Sequence, residues 1–184
     1  MAERLAPDTK IQGTEFNISD FWSWGFSDVL TNSLRGVFAE FLVGSTLDVL
    51  HRPRIEWDAY DLMYKDKKIE VNSAAYIQSW HEGQYSKISF GIEAKRAYNY
   101  ETRTYTTEPI RNADLYVFCL LYEKDANLID VLNTEQWHFY IVQTTVLNTL
   151  FPLQKRISLS TLEKVTQPVA FTEIKETIDL AINQ

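Results

Sequence analysis

Asp61, Glu70 and Asn72 are the residues of this chain whose types and spacing best suit chemistry. They lie in Asp61-Leu62-Met63-Tyr64-Lys65-Asp66-Lys67-Lys68-Ile69-Glu70-Val71-Asn72, which reads as two short strands around a tight turn. In a strand, residues i and i+2 share a face, so Glu70 and Asn72 point the same way. A two-residue turn at Asp66-Lys67 pairs Tyr64 or Lys65 with Lys68 and sets Asp61 against Asn72. A four-residue loop keeps that parity. Two carboxylates and an amide then crowd one patch. Such acids repel unless compensated, and a bound divalent cation would offset the repulsion. Asp58 competes with Asp61, but the same parity turns it to the opposite face, as a capping or turn acid after Trp57.

The chain around this patch has 184 residues, 45% of them hydrophobic, with no low-complexity stretch. That length and composition suit one folded domain spanning 1–184, with residues 1–18 as an N-terminal arm. No apolar run is long enough to span a bilayer, so no membrane partner is expected. The start, Met-Ala-Glu-Arg-Leu-Ala-Pro, lacks the apolar core of a signal peptide. The single cysteine, Cys119, sits in the apolar run Leu115–Leu121 and reads as a buried core thiol. A reducing, cytoplasmic location is expected. The net charge of −7 argues against a protein that coats nucleic acid, which needs a basic footprint. It is compatible with an enzyme that cuts nucleic acid, whose site is itself acidic.

The elements that must position the patch follow from periodicity. Val29, Leu30, Leu34, Val37, Phe38, Phe41, Leu42 and Leu47 recur at helical spacing, predicting a helix over 27–50 capped by Ser27. Two strands are expected at about 59–64 and 68–73, then a short helix over 74–80. Residues 86–92 alternate like a strand. Residues 114–122 and 137–143 read as strands, the first apolar enough to be central. A short helix after Ser160 and an amphipathic helix over 172–182 close the chain. This order predicts an α/β or α+β sheet covered by helices.

Glu40 is the one acid in the middle of the predicted helix. Taken alone it belongs on the solvated face. It also stands one step from the apolar stripe, at whose edge it would reach the sheet. Helical Glu40, then Asp61, then Ile69-Glu70-Val71-Asn72, then Gln78, resembles the PD-(D/E)xK nuclease superfamily, the restriction-endonuclease-like fold. The likeness covers about residues 35–80. It implies a central mixed β-sheet flanked by α-helices and a metal-dependent hydrolysis of phosphodiester bonds. Asp61 and Glu70 would hold Mg²⁺ (or Mn²⁺), with the Val71 carbonyl as a further ligand and Glu40 acting through a second metal or a bound water. Gln78 would orient water or a phosphate oxygen. DNA is the expected substrate, RNA the alternative, and a homodimer is compatible. Asn72 stands where the family has lysine. It can hydrogen-bond a water or phosphate but brings no charge. The contrasting expectation is a catalytically degenerate member that binds nucleic acid or a protein without cleaving.

Candidate substrate contacts are Arg52 and Arg54, between helix and hairpin, and Lys68 at the hairpin tip beside Lys65 and Lys67. Lys87, Lys95, Arg96, Arg103 and Arg111 lie in the mixed region, as a flap or as ordinary surface charge. Trp22, Trp24, Tyr76 and Trp80 offer stacking surfaces, although aromatics near apolar runs more often belong to the core. His51, His81 and His138 lack zinc-ligand spacing.

Overall fold

The computed structural model describes residues 3–56, 59–80, 82–96, 98–99, 104–105 and 107–183, with only the backbone of Tyr98 and Asn99. Asp58, His81 and Arg103, weighed above, lie outside the described residues.

The helix expected over 27–50 is two helices, α1 (Ile18–Phe26) and α2 (Asn32–Leu47). Ser27 ends α1 instead of opening a helix; its hydroxyl donates back to the Ser23 carbonyl. The amide of Val29 then turns onto the Ser27 carbonyl and that of Thr31 onto Asp28, which breaks the helical run. α1 buries none of its residues, and Trp24 is 85% exposed. In the N-terminal arm, residues 3–17 include turns closed by a bridge between Lys10 and Asn17.

Next come β1 (Leu62–Tyr64) and β2 (Lys67–Ala75). The turn between them is Lys65-Asp66, both with positive φ (48° and 60°), as a tight hairpin twisting with its strands requires. Leu62 pairs with Ile69 and Tyr64 with Lys67, so the register is slipped by two residues from the expected one. An even slip preserves the side-chain faces. Leu62, Tyr64, Ile69 and Val71 therefore still share one core. The short helix expected over 74–80 is absent, because Ala74 and Ala75 continue β2 and pair with Leu120 and Leu121.

The rest is β3 (Ser89–Gly91), β4 (Tyr98–Asn99), β5 (Thr104–Tyr105), β6 (Leu115–Leu121), β7 (Trp137–Gln143), α3 (Thr144–Leu150), β8 (Arg156–Ser158), α4 (Leu159–Leu162) and α5 (Ile174–Ile182). The main sheet runs β1-β2-β6-β7. β2 and β6 are parallel, while the outer pairs are antiparallel. Every residue of β6 is buried, which fits a continuous apolar run in a strand covered on both faces. On one face Ile69, Val71, Val117 and Phe139 pack with Ala39, Leu42 and Val43 of α2 and Ile174 and Ile178 of α5. On the other, Ala74, Phe118 and Tyr140 pack with Phe90, Leu147, Ile157 and Leu162. The protein is thus mixed α/β, a four-stranded mixed sheet flanked by helices. Among the described residues no helix is long and apolar enough to cross a membrane.

A left-handed backbone costs an L-residue roughly 1–2 kcal/mol, and Asp66 is exposed with φ 60°. Asp66→Gly is expected to raise stability by about 1 kcal/mol, offset in part by a freer unfolded chain. Urea unfolding measures it.

Candidate active site at the mouth of the hairpin

β2 positions the central acid. Strand alternation sends Ile69 and Val71 into the core beneath α2, so Glu70 and Asn72 must turn to the other face. Asp61 enters just before β1. Its N–H donates to the Ile69 carbonyl at 3.1 Å, and its Oδ2 accepts from the Val71 N–H at 2.7 Å. The Asp61 carboxylate is therefore anchored to the backbone one residue beyond Glu70.

Glu70 shows the consequence. Its carboxyl is pushed up to about 7, first by burial and then by the Asp61 carboxylate, with a smaller push from Glu40; Lys95 pulls the other way. Glu40 lies at the edge of the α2 stripe and is 8% exposed, not on a solvated face. Arg54 reaches it from the loop after α2. Its Nη2 donates to Oε1 at 2.8 Å, and its Nε donates to Oε2. That bidentate, charge-assisted pair holds the Arg54 pKa above its ordinary value, with further help from the charges of Asp61 and Glu56. Glu40 and Asp61 line a cleft of about 390 Å³, together with Arg4, Arg52 and Arg54. Arg4 is tied down by a 2.8 Å bond from Nη1 to the Leu50 carbonyl.

Asn72 lies two residues along β2, under Gly91, where an added Cβ would come within 3.7 Å of Asn72 Oδ1. Its Nδ2 is buried and has no hydrogen-bond partner among the described residues. A buried donor without an acceptor is costly, and an incoming water or phosphate oxygen would satisfy it. The donor set suits a hard divalent cation at Asp61 and Glu70, whose charge would relieve their repulsion. Glu40 fits such a group only if Arg54 lets go. Among the described residues no three His, Cys, Asp or Glu side chains gather closely enough to hold a metal ion.

Several predicted contacts lie elsewhere. Gln78 is at the far end of β2. Its Nε2 donates to the Ala75 carbonyl at 3.0 Å, and its Oε1 accepts from Arg35 Nη1 at 2.8 Å. Arg35 is fully buried in α2, with its pKa lowered to about 10 by that burial. Gln78 is thus a clamp between α2 and β2, remote from the acids. Lys87 follows Ser86, whose N–H donates to the Tyr76 carbonyl, so it too sits at the far end. Arg111 is buried, donating to the carbonyls of Ile92 and Phe151 and to Asn148 Oδ1; it is an internal tie, not a substrate contact. Lys68 stays at the acid end, its Nζ 5.5 Å from the centre of the Tyr60 ring. Tyr76 lies under Lys124, with Nζ 4.3 Å from its ring centre, far from the acids. Trp80 is 65% exposed. The tie of Arg54 to Glu40 escaped sequence reading, because nothing local announces a contact across 14 residues. No protein-family model matches the chain, and no curated protein matches it.

Glu70 gives a pH dependence of definite sign. Its folded pKa lies above its unfolded value, so below about pH 4.5 both states keep the proton. As pH rises from 4.5 to 7 the unfolded chain ionises while the folded one resists, and stability falls; above 7 the loss is complete. In chelator-treated buffer, Glu70→Gln is expected to exceed the parent in stability at pH 8 by up to about 3 kcal/mol, the two converging near pH 4. Gln78→Ala removes a bond to a buried charged group and is expected to cost about 1.5–3 kcal/mol. Urea unfolding series on each variant read both effects.

Proposed function

We propose that this protein is a metal-dependent nuclease on a restriction-endonuclease-like core, hydrolysing phosphodiester bonds with DNA as the preferred substrate. The observation that carries the reading is the Glu70 carboxyl, held beside Asp61 at the mouth of the hairpin with its pKa raised to about 7. Two carboxylates brought together at one end of a sheet, beside an arginine-lined cleft, form a site that would gain from a cation. A carboxyl whose pKa is raised by burial and a neighbouring carboxylate is a mark of functional sites.

Asp61 and Glu70 would hold Mg²⁺ or Mn²⁺, and Glu40 would join them on release from Arg54. The ion supplies charge neutralisation at the phosphate and a lowered pKa for attacking water. The chain's own residues do the rest. Val71 N–H orients the Asp61 carboxylate. Asn72 Nδ2 donates to water or a phosphate oxygen. Arg52, at the cleft wall, contacts the backbone phosphates.

A second reading is favoured by two observations: asparagine at position 72, and an arginine already paired with Glu40. In it the fold binds nucleic acid or a protein without cutting.

Metal titration and cleavage separate the readings. Mg²⁺ or Mn²⁺ at ten times its dissociation constant is expected to stabilise the protein by about 1.4 kcal/mol. Asp61→Ala should abolish that gain and also the cleavage of supercoiled, linear or single-stranded DNA. Binding without cleavage in either metal favours the second reading. Absence of both stabilisation and cleavage removes the metal site altogether.

A further inference from the structure

Asn72 leaves the acid end of β2 without the charge that hydrolysis of a phosphate diester needs. The nearby cations are nearly all engaged. Lys65 Nζ is 2.7 Å from Asp179, Arg54 is clamped on Glu40, and Lys68 sits over Tyr60. Lys155 is 2.7 Å from Glu93. Lys95 carries no ion pair among the described residues and is exposed.

The path of the chain brings Lys95 to the right place. Residues 86–95 cross the polar face of β2 in the opposite direction. Ser86 meets Tyr76 through a 2.9 Å bond, and Gly91 meets Asn72. Lys95 then meets Ile110 through two reciprocal 2.9 Å backbone bonds. The stretch that follows Ile110 runs past the acids: Asn112 Nδ2 donates to the Ala59 carbonyl at 3.1 Å, and Asp114 Oδ2 accepts from the Lys68 N–H at 2.8 Å. The backbone of Lys95 is therefore held, through its pairing with Ile110, at the end of the sheet that holds Asp61 and Glu70. The internal tie of Arg111 stiffens the same segment, since its Nε donates to the Ile92 carbonyl at 2.6 Å.

We propose that Lys95, delivered by the strand crossing β2, supplies the positive charge at the scissile phosphate that Asn72 does not. The inference rests on the nuclease reading above. In the reaction, water oxygen forms the new bond to phosphorus and the bridging P–O bond breaks. The departing oxygen takes one proton and leaves as an alcohol; the other water proton stays on the phosphate or passes to solvent. Lys95 enters and leaves as an ammonium group. It donates to a non-bridging oxygen, where negative charge grows in the transition state.

The experiment compares Lys95→Met, Lys95→Arg, Asn72→Lys/Lys95→Met and, as a control at the other end of the same segment, Lys87→Met. Each is assayed for kcat on plasmid DNA with Mg²⁺, for affinity to the same DNA with Ca²⁺, and for thermal unfolding. Lys95→Met is expected to lower kcat by about 100-fold while DNA affinity changes by less than about threefold and unfolding stays unaltered. Lys95→Arg should keep kcat within about tenfold of the parent, and Asn72→Lys should restore at least about tenfold to Lys95→Met. Lys87→Met should match the parent. A Lys95→Met protein that cuts like the parent, while Asp61→Ala is dead, overturns the role of Lys95 and leaves the nuclease reading standing. A parent protein that never cuts overturns that reading and this inference with it.

Discussion

The parallel pairing of β2 with β6 is the constraint on which the rest of the structure depends. β6 is apolar on both faces and fully buried, so whatever strand pairs with it is drawn into the centre of the sheet. β2 pairs with it from Ile69 to Ala75, and strand alternation divides β2 between two surroundings. Ile69 and Val71 join the core under α2 and α5. Glu70 and Asn72 must then turn to a face that is largely covered by the second apolar layer. An acid in that position loses hydration without gaining a partner of its own. Its raised pKa is the direct result of this placement.

The surrounding charges follow from the same geometry. The hairpin turns back at Lys65-Asp66, which sets Asp61 beside Val71 and Glu70. Its tip is held to α5 by Lys65 on Asp179 and by the Tyr64 hydroxyl, which donates to Asp179 and accepts from Lys175. α2 lies across β2 and carries Glu40 to the cleft, where Arg54 balances it. One acid is thus compensated by an arginine, one by a backbone N–H, and one is left with Lys95 as a distant counter-charge. The three acids are thus held by different means. Asn72 Nδ2, buried without an acceptor, adds to the same imbalance.

Much of the sheet was legible because it rests on short-range pattern. The apolar run at 115–121, the strand at 137–143 and the closing helix were all readable from residue type and period. Hairpin parity survived even though the register did not, since a slip of two residues leaves every face unchanged. Each failure has a physical cause. Ser27 looks like a helix cap, but its hydroxyl turned back onto the helix before it. Ala74 and Ala75 have high helix propensity, yet pairing with β6 kept them extended. Gln78 stood at the right distance in sequence for a role at the acids, but an extended β2 carried it to the opposite end of the sheet, onto Arg35.

Alternation alone determined that Glu70 and Asn72 share a face apart from Ile69 and Val71, because a strand cannot arrange them otherwise. Composition determined that β6 would be central, because a wholly apolar strand must be covered on both sides. Only the tertiary structure decided which distant groups meet those residues. Arg54 on Glu40 and Gly91 over Asn72 join parts of the chain through space, where no periodicity links them. Their meeting depends on the path of the loops over the sheet, and that path is set by burial and backbone hydrogen bonding across the whole domain.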